Sequence, residues 1–449
     1  MQNLPVPFDR RVWLECQTLR AAGYEVSVIC PKGPGDPDYE QYEGIHLYKY
    51  RPAPAAEGIL GYGLEFVWCW LLTARLSLTV LRRHGFDVMQ ACNPPDTYWA
   101  LALPYKLLGK RFVYDQHDLS PEVYASRFGT RARPSVTRAL RALEQATYRV
   151  ADHVISTNAS YKRIAMTRGH RAESTVTIVR SGPDTSRMKP VPPEPALKNG
   201  RTHLVCYLGV MGPQDGVDGL IRTWDVLMHE KGRDDCQLAL LGFGDCLDDL
   251  QRLTRELGLE DHVTFTGRAD AEVISRYLST ADIGVCPDPH SPLNDVSTMN
   301  KTMEYMAFGL PVVSFDLPET AVSAGDAAVF VPGDDPAHLA EAVAELLDDV
   351  GRREVLGESA RQRAVEVLDW RVQAVSYIGV FDQLMGRAQR DVVVLPDPEV
   401  SGRFRGVAAR RSVYRPPAAE VAALVAVPAQ RAGEEGLVPG EPLVVAPAP

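Results

Sequence analysis

Residues 294–316 read NDVSTMNKTMEYMAFGLPVVSFD. A polar turn opens the stretch and a helical run follows. Gly309 stops the run, and LPVVSFD then reads as a short buried strand. Ser297, Thr298 and Asn300 are N-cap residue types, so the spacing predicts a helix whose N-terminus faces an anion, with Glu304 one turn inside. The same alternation extends on both sides. HLVCYLG, a helix from Gly219, CQLALLG, a helix to Leu257, HVTFTG, a helix to Thr280 and ADIGVCP precede it, and AAVFVP follows. Strands separated by helical patterns imply βαβ units and a parallel sheet.

The first half of the chain repeats the pattern. A helix over Val12–Ala22 leads to the strand YEVSVIC, and a helical Leu64–Arg83 region leads to FDVMQA. RFVYD, a long helix over Pro134–Val150, ADHVIST and TVTIVRSG complete a second parallel series. The proline-rich stretch 183–200 reads as a linker. The expected organisation is an N-terminal Rossmann-like domain over 1–185, a linker at 186–200 and a C-terminal Rossmann-like domain over 201–365. A C-terminal helix over 366–390 crosses back, and a proline-rich tail over 391–449 is expected to be disordered because it cannot bury enough apolar surface. A doubly wound domain normally opens with an apolar strand. Here MQNLPVPFDRRVW already reads as the loop and helix start, so the first strand is expected to be missing and the sheet edges open. A start codon assigned too far downstream is the favoured explanation.

With 449 residues, 45% hydrophobic and 24% charged, the chain has a globular composition, and its net charge of −10 argues against a broad nucleic-acid surface. The eight cysteines are scattered with no C-x-x-C pair, which points to buried thiols in a reducing cytoplasm rather than a zinc or disulfide framework. No signal peptide is visible. The apolar stretch Ile59–Leu81 is interrupted by Glu65 and Arg75, so core packing is favoured over membrane contact.

The phrase EYMAFGLPVV within residues 294–316 resembles the donor-binding core of glycosyltransferase family 4. The whole arrangement is similar to that family's GT-B fold, two Rossmann-like domains facing a cleft. The resemblance implies that Glu304, the second Glu of the family's E-x7-E motif, accepts hydrogen bonds from the donor ribose. Counting back to the first Glu lands on Val296, and Asp295 or Asn294 is the candidate to take over its sugar contact. YLGVMGPQDGVDGLI resembles the loop that approaches the diphosphate, with Gly209 and Gly212 in the close-approach positions. The family's basic residues are replaced there by Val210 and Asp215, so Lys301 and Asn300 at the helix start are expected to serve the phosphates. LLGFGD (Gly242, Gly244) and FTGR (Gly267, Arg268) resemble two further strand-end turns, the second of which holds the nucleotide base in the family.

In the first half, YDQHDLSPE resembles the family's HD phrase, which implies that His117, with Asp118 beside it, points at the transferred sugar. A structural histidine is the plainer alternative. Asn93, Asp9 and Arg10 are candidates for the acceptor side, with Arg10 or Arg11 equally open to a phosphate and Asp9 equally readable as a helix N-cap. The resemblance implies a retaining transfer of a hexose-type sugar from a nucleotide-sugar donor to a glycan or lipid-linked acceptor. No D-x-D pair stands at a strand end, so neither metal nor other cofactor is expected. The expected location is the cytoplasm, with peripheral contact at the inner face of the membrane open. The rival functions are a UDP-sugar 2-epimerase-like enzyme and a non-catalytic nucleotide-sugar-binding protein. A dinucleotide oxidoreductase trails for want of a G-x-G-x-x-G turn.

Overall fold

The computed structural model describes residues 5–33, 35–53 and 58–390, with only the backbone for 58–63, and the backbone of the short stretches 393–395 and 412–414. The first half holds α1 (Arg10–Ala21), β1 (Ser27–Pro31), β2 (Tyr39–Tyr42), β3 (Ile45–Tyr50), α2 (Gly58–Arg83), β4 (Val88–Cys92), α3 (Trp99–Leu107), β5 (Arg111–Gln116), α4 (Ser120–Phe128), α5 (Pro134–Val150), β6 (His153–Ser156), α6 (Ala159–Thr167) and β7 (Val176–Ile178). The second half holds β8 (His203–Leu208), α7 (Val217–Asp225), β9 (Cys236–Leu241), α8 (Leu247–Glu256), β10 (Val263–Gly267), α9 (Ala271–Thr280), β11 (Ile283–Cys286), α10 (Asn300–Ala307), β12 (Val312–Phe315), α11 (Pro318–Ala324), β13 (Ala328–Val331), α12 (Pro336–Asp348), α13 (Val350–Arg363) and α14 (Trp370–Leu384).

The second-half strands form one parallel sheet in the order β10-β9-β8-β11-β12-β13. Each strand has to bury side chains on both faces under helices, which is why β8 and β9 read as mostly apolar runs. One face packs on Trp224, Leu220 and Leu339, the other on Met303, Tyr305 and Leu368. The first-half strands β4-β5-β6-β7 form a second parallel sheet. The last helix, α14, belongs structurally with this first half. Trp370, Tyr377 and Phe381 pack on Val113, Ile155 and Val179, and Trp370 Nε1 donates to Thr18 Oγ1 at 2.9 Å.

β1, β2 and β3 stand apart as a three-stranded sheet, β1-β3-β2, with an antiparallel β2–β3 hairpin that the sequence patterns above do not capture. β1 and β4 face each other without pairing, across a cavity of about 500 Å³ lined by Val26, Val28, Gln90, Cys92, Glu15 and Tyr377. Residues 5–9 ahead of α1 form a turn closed by Asp9 N donating to Pro5 O. Among the described residues the N-terminal domain therefore has two sheets where a doubly wound fold has one.

Two expectations need correction, and a third falls largely outside the described residues. The Leu64–Arg83 helix is not a core helix. Cys69, Thr73, Ser77 and Val80 make one buried stripe, while Leu64 (71% exposed), Val67 and Leu71 (56% each) face outward. The β1–β3 sheet and α3, whose Tyr105 OH lies 2.7 Å from Ser77 Oγ, cover one face of α2, while Leu64, Val67 and Leu71 on the other stay exposed. It is the one helix among the described residues long and apolar enough to cross a membrane by length and composition. The tail expected to be disordered lies mostly outside the described residues, and within it Val393–Leu395 pairs antiparallel with Ser412–Tyr414. Finally, the N-cap of α10 is Met299, and no side chain caps that helix. Ser297 Oγ instead donates to Leu293 O at 2.7 Å, and Thr298 Oγ1 accepts from Asn158 Nδ2 at 3.0 Å.

Candidate active site

The carboxyl ends of both parallel sheets meet. Arg10 at the start of α1 donates to Glu304 Oε1 of α10 at 2.6 Å. Asn158 Nδ2 at the start of α6 donates to Val296 O at 2.9 Å, and Arg127 pairs with Asp245. Strand ends of a parallel sheet are where ligands bind in such folds, because the strand-to-helix loops gather there.

On the second-domain side the backbone packs too tightly for side chains. A Cβ on Gly242 would stand 1.8 Å from Gly209 O, and one on Gly244 would stand 2.5 Å from Met211 O. Gly209 N donates to Leu241 O and Met211 N to Phe243 O, each at 3.0 Å, which fuses the two loops into one wall. Gly212 N donates to Asp215 Oδ2 at 2.9 Å. Gly267 has a φ of +67°, and beside it the exposed Arg268 guanidinium lies 4.2 Å above the Phe243 ring. Tyr305 OH accepts from Leu208 N at 2.7 Å and donates to Val285 O at 3.2 Å, pinning α10 under the sheet and so fixing its neighbour Glu304.

Lys301 is not a free cation at the helix start. Its ammonium donates to Asp288 Oδ1 at 2.6 Å, stands 3.9 Å from Asp215 and lies 5.0 Å from the Tyr207 ring centroid. Burial works against its charge, but Asp288 and Asp215 outweigh it and hold the ammonium above the usual lysine range. Burial pushes the Asp215 carboxyl up to about 6, opposed by Lys301 and reinforced by Asp288. Asn300 is exposed as the first helical residue. Asp295 Oδ1 is shielded from solvent with no hydrogen-bond partner, and Asn294 beside it is tied down to Gln214 O and Pro289 O.

The first-domain side is a buried relay. His117 Nε2 lies 2.8 Å from Asp115 Oδ2, and Arg11 donates to Asp115 Oδ1 at 3.1 Å. Gln90 Nε2 donates to Asp115 Oδ2 at 2.9 Å and is itself held by Tyr377 of α14. Burial alone disfavours an imidazolium, yet the Asp115 carboxylate overrides it and keeps His117 well above the ordinary histidine range. Burial also raises Asp118 above the usual carboxyl range. Asn93 clamps this loop. Its Oδ1 accepts from His117 N at 2.7 Å and Asp118 N at 3.2 Å, and its Nδ2 donates to Asp118 O at 2.7 Å. Asp9 caps α1 through Val12 N at 3.0 Å. Arg10, from α1, reaches Glu304 of α10 across the cleft.

The sequence patterns single out none of Asp115, Asn158, Arg180, Glu319 and Asp288. Asp115 lies on β5 two residues before His117, which opens the loop after that strand, so the D-x-H spacing in YDQHD carried the signal. Arg180 is 1% exposed and donates to Glu319 Oε2 at 3.2 Å and Ser323 Oγ at 3.2 Å, joining the two halves. Nothing in sequence marks that partnership.

Two parallel-sheet domains with their strand ends apposed, a glycine wall, and a carboxylate-bearing helix opposite a histidine relay define a GT-B glycosyltransferase. Residues 9–187 match the family described as Glycosyltransferase Family 4, and residues 202–349 match Glycosyl transferases group 1. The chain belongs to this family of glycosyltransferases and is a transferase enzyme. It is 26% identical over 394 residues to D-inositol 3-phosphate glycosyltransferase of Thermobispora bispora, covering 83% of this chain and 88% of that one. In fold it is similar to sucrose-phosphate synthase from Thermosynechococcus elongatus, with a TM-score of 0.70 at 20% identity over 86% of this chain and 95% of that one. It is also similar to the Anabaena protein HepE, whose structure holds UDP-glucose, with a TM-score of 0.62 at 16% identity over 86% and 97% of the two chains.

Proposed function

We propose that the enzyme moves a hexose-type sugar from a nucleotide-sugar donor to a glycan or lipid-linked acceptor, with retention and without a catalytic metal. The observation that carries the proposal is Glu304, held one turn inside an uncapped helix that faces the first domain, 2.6 Å from Arg10. A carboxylate there suits a ribose diol, and the N-terminus of α10 with its helix dipole suits a diphosphate. The fold relative bound to UDP-glucose supports a donor of this class.

In this scheme Glu304 holds the ribose, and the α10 amides with the Gly209–Gly212 loop hold the diphosphate. Arg10 leaves Glu304 for the phosphates and supplies the cation that Val210 and Asp215 do not. Gly242 and Gly244 keep the wall close to the donor, and Gly267 and Arg268 border the base. Asp295 accepts from the sugar hydroxyls. His117, held as an imidazolium donor by Asp115, faces the transferred sugar, and the half-buried Asp118 shapes the same pocket. A donor phosphate oxygen takes the acceptor proton on the face from which the diphosphate departs, so the protein contributes positioning and leaving-group stabilisation. The exposed apolar face of α2 suits contact with a membrane carrying the acceptor.

The test is release of nucleoside diphosphate by the full chain with a panel of nucleotide sugars and lipid or glycan acceptors, the product anomer being read by NMR. Glu304→Ala removes charge-assisted hydrogen bonds of about 1.5–3 kcal/mol each, so kcat/KM should fall by roughly a hundredfold. Turnover of that variant at the wild-type rate, or an inverted product, would overturn the proposal.

A further inference from the structure

A second cluster of chemistry-bearing side chains lies outside the cleft. Glu25 stands two residues before β1, His46 is the second residue of β3, and His84 follows the last turn of α2. Glu25 Oε1 is 3.2 Å from His84 Nδ1 and 3.6 Å from His46 Nε2, and the three atoms lie within 4.8 Å of one another. The two imidazole rings are tilted 31° to each other with centroids 4.1 Å apart.

Each imidazole is held from behind. His46 Nδ1 lies 3.0 Å from Tyr39 OH, and His84 Nε2 lies 2.8 Å from Tyr48 OH. Tyr39 and Tyr48 are opposite each other in the β2–β3 hairpin register, with rings 4.9 Å apart, so the two hydroxyls come from one rigid pair. When each outer nitrogen gives its proton to a hydroxyl oxygen, both inner nitrogens turn lone pairs toward a carboxylate. Three acceptors then converge with no donor between them, which is the electrostatic demand of a cation.

We propose that Glu25, His46 and His84 bind one divalent transition cation of the zinc class, with water in the fourth position. Ligand atoms about 2.0–2.2 Å from a tetrahedral zinc lie about 3.3 Å from one another, and the 3.2 and 3.6 Å separations bracket that edge. Imidazole and carboxylate donors suit zinc, and imidazoles oriented by a second hydrogen bond are the usual ligand arrangement. Glu25 is 63% exposed, so water and ion have an entry path. The other cluster with metal-ligand chemistry, Cys92, Asp115 and His117, is excluded because Asp115 already receives Arg11, Gln90 and His117.

The three residues sit at the amino ends of β1 and β3 and ahead of β4, whereas the cleft lies at the carboxyl ends of the sheets. The cation therefore takes no part in sugar transfer. It ties the C-terminus of α2, the helix with the exposed apolar face, to the β1–β3 sheet beside the unpaired edge.

The experiment uses the full chain stripped with a chelator, then titrated with ZnCl2 by calorimetry and thermal unfolding, and with CoCl2 by visible absorption. The expected results are one zinc per chain, a zinc-dependent rise in Tm, and a tetrahedral cobalt spectrum without a thiolate charge-transfer band. His46→Ala, His84→Ala and the exposed Glu25→Gln should each weaken zinc by roughly tenfold or more while leaving transfer activity unchanged. No binding at micromolar zinc, unaltered binding in both histidine variants, or a thiolate band pointing to Cys92 would overturn it.

Discussion

Single residues in the cleft show how charge is distributed around the proposed donor site. Asp215, where the family resemblance leads one to expect a base, stands within 3.9 Å of Lys301, which is itself committed to Asp288 at 2.6 Å. Burial leaves Asp215 titrating near pH 6, so it is largely neutral below that and charged above it. A charged Asp215 repels a diphosphate. Affinity for an intact nucleotide sugar should therefore be higher at pH 5 than at pH 8, by roughly tenfold for about 1.4 kcal/mol of repulsion. Calorimetry across that range should show the slope in the wild type and a flat profile in Asp215→Asn; a slope that persists in the variant would assign it to another group. Such residue-level detail was only partly legible in sequence. Glu304 and His117 announce themselves through phrases at strand ends, but adjacent helical residues point about 100° apart. Sequence cannot say that Arg11 turns inward to Asp115 while Arg10 turns to Glu304. The partner of Lys301 comes from a different strand end, so its neutralisation was invisible as well.

At the scale of elements, the parallel strands were readable because burial on both faces demands mostly apolar runs, as in CQLALL and HLVCYL. The hairpin strand YEQY was not, since it is short and mostly exposed and carries no such run. α2 misled for the opposite reason: its composition is apolar all round, while the sheet beneath offers only one face to cover. α14 shows an element whose position is set by packing with residues far away in sequence. It leaves the second domain and docks Trp370 against Thr18 and the first-domain core. Trp370→Ala removes a fully buried indole and its hydrogen bond, which should cost about 3–5 kcal/mol. Urea unfolding of the full chain measures this directly, and a loss below about 1 kcal/mol would mean the helix is not held by this anchor.

At the scale of the whole molecule, the halves are joined near the site by Arg10–Glu304, Asn158 on the Val296 loop, and the buried Arg180–Glu319 pair. α14 adds a covalent return from second domain to first. α10 with Glu304 and the histidine relay are thus presented to one cleft by contacts that lie on both sides of it. The central claim is that this cleft takes a nucleotide sugar through Glu304. Its most direct test is binding calorimetry of the full chain with a panel of nucleotide sugars, in parallel for wild type and Glu304→Gln. One nucleotide sugar should bind the wild type, stabilising it by about 2.7 kcal/mol at a hundredfold excess over Kd, and should bind the variant far more weakly. Binding of no nucleotide sugar to the wild type, or equal binding to both proteins, would contradict the account.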